Sequence, residues 1–234
     1  MFKIFNVGVL ALVLAACGTP KTRHPGSSLP VSSLPHELIP AGSYRVDETR
    51  SELRILVYRA GALARFGHNH IVVNRSVRGW VNQNLPGSPR FSLNVPAAAF
   101  VVDDAQARRE EGPDFAGDVP DDAKSGTLRN MLSAAVLDAD EFPSITVDSV
   151  AVSGATDAAG AGVLLANVTI SVAGHESKLD LPFTLQSDSR HLSASGSLEL
   201  RQSSLGLTPY SLMLGALQVQ DEVTIKFQII ANLS

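Results

Sequence analysis

Cysteine occurs once in these 234 residues, at Cys17, which excludes an internal disulfide and any site that needs two thiolates. Basic charge is also scarce. Nineteen Lys and Arg against 23 Asp and Glu give a net charge of −4, with both signs scattered, so no basic stripe exists to neutralise phosphates and nucleic acid is excluded as a partner. No apolar run reaches the roughly 20 residues that a membrane-spanning helix needs. Catalytic signatures are missing as well. There is no Gly-x-Ser-x-Gly elbow, no phosphate-cradling glycine loop and no dinucleotide fingerprint, and Ser195-Gly196-Ser197 sits in a strand pattern between Ala194 and Leu198. An enzyme is not indicated.

What is present starts with the leader. Lys3, an uncharged run from Val7 to Leu14 and the small residues before Cys17 have the three-part layout of a secretory signal peptide over residues 1–16. Leu14-Ala15-Ala16-Cys17 resembles the lipobox of bacterial lipoproteins. That resemblance implies acylation of Cys17, membrane attachment through it and, because Gly18 follows instead of Asp, a place in the outer membrane facing the periplasm. Residues 17–43 then read as the lipidated cysteine and a tether, with Pro20, Pro25, Pro30, Pro35 and Pro40 at every fifth position. Prolines at that density favour extended, polyproline-like backbone at about 3.1 Å per residue, a reach of up to roughly 80 Å. His24 and His36 are solvated linker residues in this reading.

From Tyr44 onward, period-two alternation sets in. Leu53, Ile55 and Val57, then Phe91, Leu93 and Val95, then Leu179, Leu181, Phe183 and Leu185, and finally Val223, Ile225, Phe227 and Ile229 alternate with mostly polar neighbours, the pattern of half-buried strands. Further strands are expected at 70–81, 145–152, 163–172 and 192–201, separated by turn clusters such as Leu85-Pro86-Gly87-Ser88-Pro89 and Gly154 to Gly162. The class is all-β. About eight antiparallel strands suit a sandwich or a closed barrel, and eight is the count at which a barrel is either filled by side chains or holds one small ligand.

Leu128, Met131, Leu132, Ala135 and Val136 recur at amphipathic-helix spacing, opened by Ser125 or Thr127 and ended near Asp138. The acidic stretch from Asp103 to Asp122 before it reads as a solvated loop. Calcium is conceivable there, but no EF-hand spacing supports it. In extended backbone His68 and His70 point to one face. Two such imidazoles can hold part of a zinc, copper or nickel site, completed by His175, His191 or a carboxylate. They can equally meet a ligand head group or gate a barrel mouth, with Asn69 holding the turn.

Tyr44-Arg45-Val46-Asp47, Ser51, Leu137-Asp138, Phe142-Pro143-Ser144-Ile145-Thr146, Val168-Thr169-Ile170, Gly174, Phe183, Gly206 and Asp221 together resemble the YceI-like family of polyisoprenoid-binding proteins, from about Tyr44 to Ala231. Gly67-His68-Asn69-His70 resembles the signature of a subgroup. The resemblance implies an exported, lipocalin-like antiparallel β-barrel over residues 44–234, with one packed amphipathic helix and an apolar interior for an isoprenoid or amphipathic lipid tail.

The function expected is therefore an envelope lipoprotein that binds or carries such a lipid, without cofactor or covalent chemistry and with oligomeric state open. By alternation, the tail-contact candidates are Leu53, Ile55, Val57, Phe91, Leu93, Leu181, Phe183, Val223, Ile225 and Phe227, and the head-group or gate candidates are His68, Asn69 and His70. One Trp and three Tyr leave few large aromatics to plug a barrel. Two other readings stand beside it: a metal-binding envelope protein using His68 and His70, and a solid structural barrel that presents the acidic loop to a partner.

Overall fold

The computed structural model describes residues 40–84 and 89–234. The leader, Cys17, nearly all of the tether and the Leu85 to Ser88 part of one turn lie outside the described residues. The strands are β1 (Tyr44–Val46), β2 (Glu52–Ala60), β3 (His70–Asn74), β4 (Arg78–Asn82), β5 (Arg90–Pro96), β6 (Phe100–Val102), β7 (Ser144–Gly154), β8 (Ala161–Val172), β9 (His175–Ser187), β10 (His191–Arg201), the two-residue β11 (Ser211–Leu212) and β12 (Leu217–Leu233). Two helices, α1 (Ala105–Glu110) and α2 (Asp121–Leu132), lie between β6 and β7.

The sheet is antiparallel throughout and closes on itself. β12 pairs with β10 on one side, and on the other with β2 through its first part and β1 through its last. β1 and β2 are thus one broken strand. The same holds for β3 with β4 and for β5 with β6, because β3 pairs with β2 and β6 while β4 pairs with β1 and β5. Counted this way, the circuit is an eight-strand, up-and-down barrel. Closure covers most strand edges, and among the described residues β9 and β10 are laddered only over Thr184–Ser187 and Leu192–Ser195.

Alternation decides which side chains face inward. Leu53 stands opposite Phe227, Ile55 opposite Ile225 and Val57 opposite Val223, so one apolar face of each strand meets the next around the barrel. At one end Tyr44, Val46, Leu192, Ile229 and Ala231 are buried together. At the other end Leu128, Met131 and Leu132 of α2, followed by Val136 and Leu137, pack onto the same cluster. The chain enters and leaves at the first end, where Ser234 Oγ donates to the Ser43 carbonyl at 2.7 Å. Both helices and the segment 202–216 lie at the opposite end. The barrel strands run from Tyr44 to Leu233, both apolar clusters lie within that span, and the described residues from Pro40 on belong to one compact unit. A chain beginning at Pro40 therefore carries every barrel strand and both clusters.

Two expectations are corrected. The single helix expected is in fact two, and α2 spans Asp121–Leu132 instead of opening at Ser125 or Thr127. Its first turn carries Asp121 and Asp122, whose charges favour the helix N-terminus without a side-chain cap. Ala135 and Val136 fall in the turn that follows. The acidic stretch is only in part a solvated loop: Asp114, Asp118, Asp121 and Asp122 are exposed, but its first part is ordered against the barrel. Asp104 caps α1 by accepting from Ala107 N at 2.9 Å, and Arg54 on the outer barrel wall pairs with Glu110 and Glu111, the latter also with Lys226. Beneath them Leu56, Ile71, Val73, Ala107 and Phe115 form a second buried cluster, roofed on the outside of the barrel.

Candidate ligand cavity and its histidine end

Side chains that point inward in a solid barrel are buried. Here they are not. Along β9 the inward residues Leu179, Leu181, Phe183 and Leu185 are each half-buried, while the residues between them are exposed. The cause is a void: the barrel encloses a cavity of about 720 Å³ that runs along its interior, within the roughly 300–1,000 Å³ of small-molecule sites. β9 has 13 residues, roughly 40 Å along the strand, so with the usual barrel tilt the lumen is roughly 30 Å tall.

All ten tail-contact candidates line this cavity: Leu53, Ile55, Val57, Phe91, Leu93, Leu181, Phe183, Val223, Ile225 and Phe227. All but Val223 are half-buried. The solid barrel assumed by the structural-module reading is thus not what the chain builds. Polar lining groups gather at the two ends. Gln83, Arg90, Thr156 and Ser187 lie near the chain termini, and Arg59, His68, His70, Thr127, Asn130, Gln202, Tyr210 and Gln218 lie at the helical end. The arrangement suits a molecule with a long apolar body and a polar tip.

His68 and His70 both line the helical end, with ring centroids 6.1 Å apart. His70 is held on both sides. Its Nδ1 lies 2.6 Å from Asp103 Oδ2, and its Nε2 lies 3.3 Å from Thr127 Oγ1 on α2. Asp103 is fully buried, in a left-handed conformation at φ 56° that Asp tolerates better than most residues. Its other oxygen accepts from Ile71 N at 3.0 Å and Arg108 Nη1 at 2.6 Å. Burial opposes ionisation of Asp103, but the His70 bond, the Ile71 amide and the charges of His70 and Arg108 outweigh it and hold the carboxyl below its ordinary range. An ionised carboxylate only accepts, so Nδ1 carries the proton of the bond to Asp103, and the other ring nitrogen faces the Thr127 hydroxyl.

Asn69 does not line the cavity. Its Oδ1 accepts from Arg59 N and its Nδ2 donates to the Asp114 carbonyl, each at 3.1 Å, so it ties the end of β2 to the turn before Ala116. Among the described residues no three His, Cys, Asp or Glu side chains converge as a metal site. His191 lies at the far end of the barrel, bonded to Asp188, and His175 packs against Gly206.

Sequence reasoning passed over Asp103, Arg108, Thr127 and Asn130. Asp103 and Arg108 are hidden in a charge-rich run that reads as solvated, and the two α2 residues sit on a helix whose inward face only packing selects.

A family model described as the YceI-like domain matches residues 44–231. No curated protein matches the sequence. Among solved structures, BcnA of Burkholderia cenocepacia is similar with a TM-score of 0.56 at 16% identity, over 80% of this chain and 99% of that one. A polyisoprenoid binding domain from Saccharophagus degradans, implicated in plant cell wall breakdown, is similar with a TM-score of 0.54 at 11% identity, over 82% and 98% of the two chains. At these identities the likeness concerns the fold.

Proposed function

Since the chain belongs to the YceI-like domain family, we propose that its barrel binds and carries an isoprenoid-type or similarly amphipathic lipid, tail inside and polar tip toward His68 and His70. The observation that carries this reading is the half-buried state of the inward β9 residues, because apolar side chains facing a void are what a tail would cover. Each methylene taken from water into such a lining contributes about 0.8 kcal/mol. A tail of a few prenyl units thereby exceeds the cost of immobilising it. The Saccharophagus domain, described as polyisoprenoid-binding, supports the ligand class by analogy.

Within the same reading, Cys17 anchors the protein to the outer membrane, the barrel faces the periplasm, Gly67-His68-Asn69-His70 marks a subgroup, and no covalent chemistry takes place. The test is native mass spectrometry of residues 40–234 purified from a cell envelope, followed by organic extraction. One prenyl or acyl lipid per barrel is expected. An empty barrel that also fails to take up a polyprenyl alcohol would overturn the proposal.

A further inference from the structure

The helical end of the barrel carries apolar side chains that neither the fold nor the cavity uses. Met213 is 73% exposed, Leu214 is fully exposed and Phe66 is 65% exposed. None of the three lines the lumen. They belong to two loops that meet, since Leu63 N donates to the Ala216 carbonyl at 2.7 Å. Of the remaining exposed large apolar residues, Leu212 adjoins the Met213–Leu214 pair, and Val101, Val150, Val163, Leu165 and Leu233 lie on strands around the barrel, where scattered exposed residues need no explanation.

Backbone strain sharpens the point. Met213 and Leu214 have φ of 50° and 55°, followed by Gly215 at 89°, three successive residues in the region that favours glycine. Large side chains at such positions bring a conformational cost and, being exposed, no packing gain. Strain of this kind collects at binding surfaces. The chemistry around the tip has one character: no charged residue occurs from Gln202 to Gln220, and in the facing loop the one formal charge is Arg65, whose guanidinium lies 4.7 Å over the Phe66 ring. Leu212 and Leu217, on either side of the strained pair, line the cavity. The tip is thus continuous with the mouth of the lumen.

We infer that this tip is a membrane-docking element, with Phe66, Met213 and Leu214 entering the headgroup and acyl boundary of a bilayer and Arg65 meeting its anionic headgroups. Apolar side chains on the boundary with a cation beside them are the chemistry of interfacial binding. Docking there aligns the mouth with the bilayer, so a tail can pass between membrane and lumen without crossing water. The purpose of docking rests on the carrier reading, while the docking itself does not.

The test uses residues 40–234 and vesicles of phosphatidylethanolamine and phosphatidylglycerol in a sedimentation assay, with uptake of N-phenyl-1-naphthylamine in solution as the cavity readout. The Met213→Gly/Leu214→Gly double variant removes both side chains where glycine suits the backbone, so it folds with an equal or higher Tm. It is expected to bind vesicles at least about tenfold more weakly than the parent, with naphthylamine uptake unchanged. A variant that binds as tightly as the parent, or a parent that ignores the vesicles, would overturn docking. A parent that self-associates through this tip, as a variant-sensitive shift in gel filtration, would overturn it too and assign the surface to a second copy. Variant-sensitive vesicle binding by a barrel that takes up no naphthylamine would uphold docking and sink the carrier reading.

Discussion

Asp103 grips His70 through a 2.6 Å bond to Nδ1, and thereby aims Nε2 at Thr127 on α2. A buried carboxylate outside the lumen sets the orientation of an imidazole inside it and joins the helix to the mouth of the cavity. Arg108 completes the group from α1, so three elements meet at one carboxylate.

Asp103→Asn should therefore be costly. Breaking a buried charged group by removing one member costs about 3–5 kcal/mol, and urea unfolding would measure it. The pH dependence follows from the direction of the Asp103 shift. A carboxyl held below its ordinary value by the fold stabilises the native state above the unfolded-state value near 3.9, and that contribution is lost as pH falls through the lower folded value. The parent should lose stability below about pH 4 more steeply than the variant. Identical acid limbs for the two proteins would contradict this.

Ala194→Trp tests the void. Ala194 lines the cavity between Leu185 and Ile229 on the neighbouring strands. A large side chain placed in a filled core costs roughly 1–3 kcal/mol, whereas here there is room for it. Tm should stay level or rise, while uptake of an apolar probe falls by about tenfold or more.

Gly79→Ala should be among the most damaging small changes. Gly79 has φ of 143°, and an added Cβ would sit 2.0 Å from the Ser92 carbonyl oxygen on β5. Conformational strain alone is about 1–3 kcal/mol, and the backbone must also move apart. Circular dichroism melts should show a clear drop in Tm; an unchanged melt would mean that β4 and β5 separate freely.

Phe115→Ala is expected to act locally. Phe115 is buried against Leu56, Ile71, Val73 and Ala107, with its ring centroid 5.7 Å from that of Tyr58. Losing it removes about 3–5 kcal/mol of packing from the roof over the outer wall, not from the barrel circuit. Hydrogen exchange should accelerate over residues 103–117 and remain slow in β8, β9 and β10.

Much of the fold was legible because strand periodicity is local. Each of the eight strand runs expected from alternation is found, and Leu53, Ile55, Val57 and the other tail-contact candidates do face the interior. The break of 70–81 at residues 75–77 and the short β6 were not legible, since they reflect how broken strands share partners around a closed sheet. Leu56 shows the limit most clearly: it lies on the outer face, where alternation expects solvent, yet it is buried because Phe115 and Ala107 fold over it.

By itself, the sequence determined that this is an all-β chain with one inward apolar face per strand, because side-chain direction in a strand depends only on neighbouring residues. Only the tertiary structure decided that the barrel is hollow. Whether inward side chains interdigitate or leave a lumen depends on the barrel's circumference and on what crosses it, and no stretch of sequence contains either. The same is true of Asp103, His70, Thr127 and Arg108, which become one hydrogen-bonded group only when barrel closure brings β3, α1 and α2 to the same end.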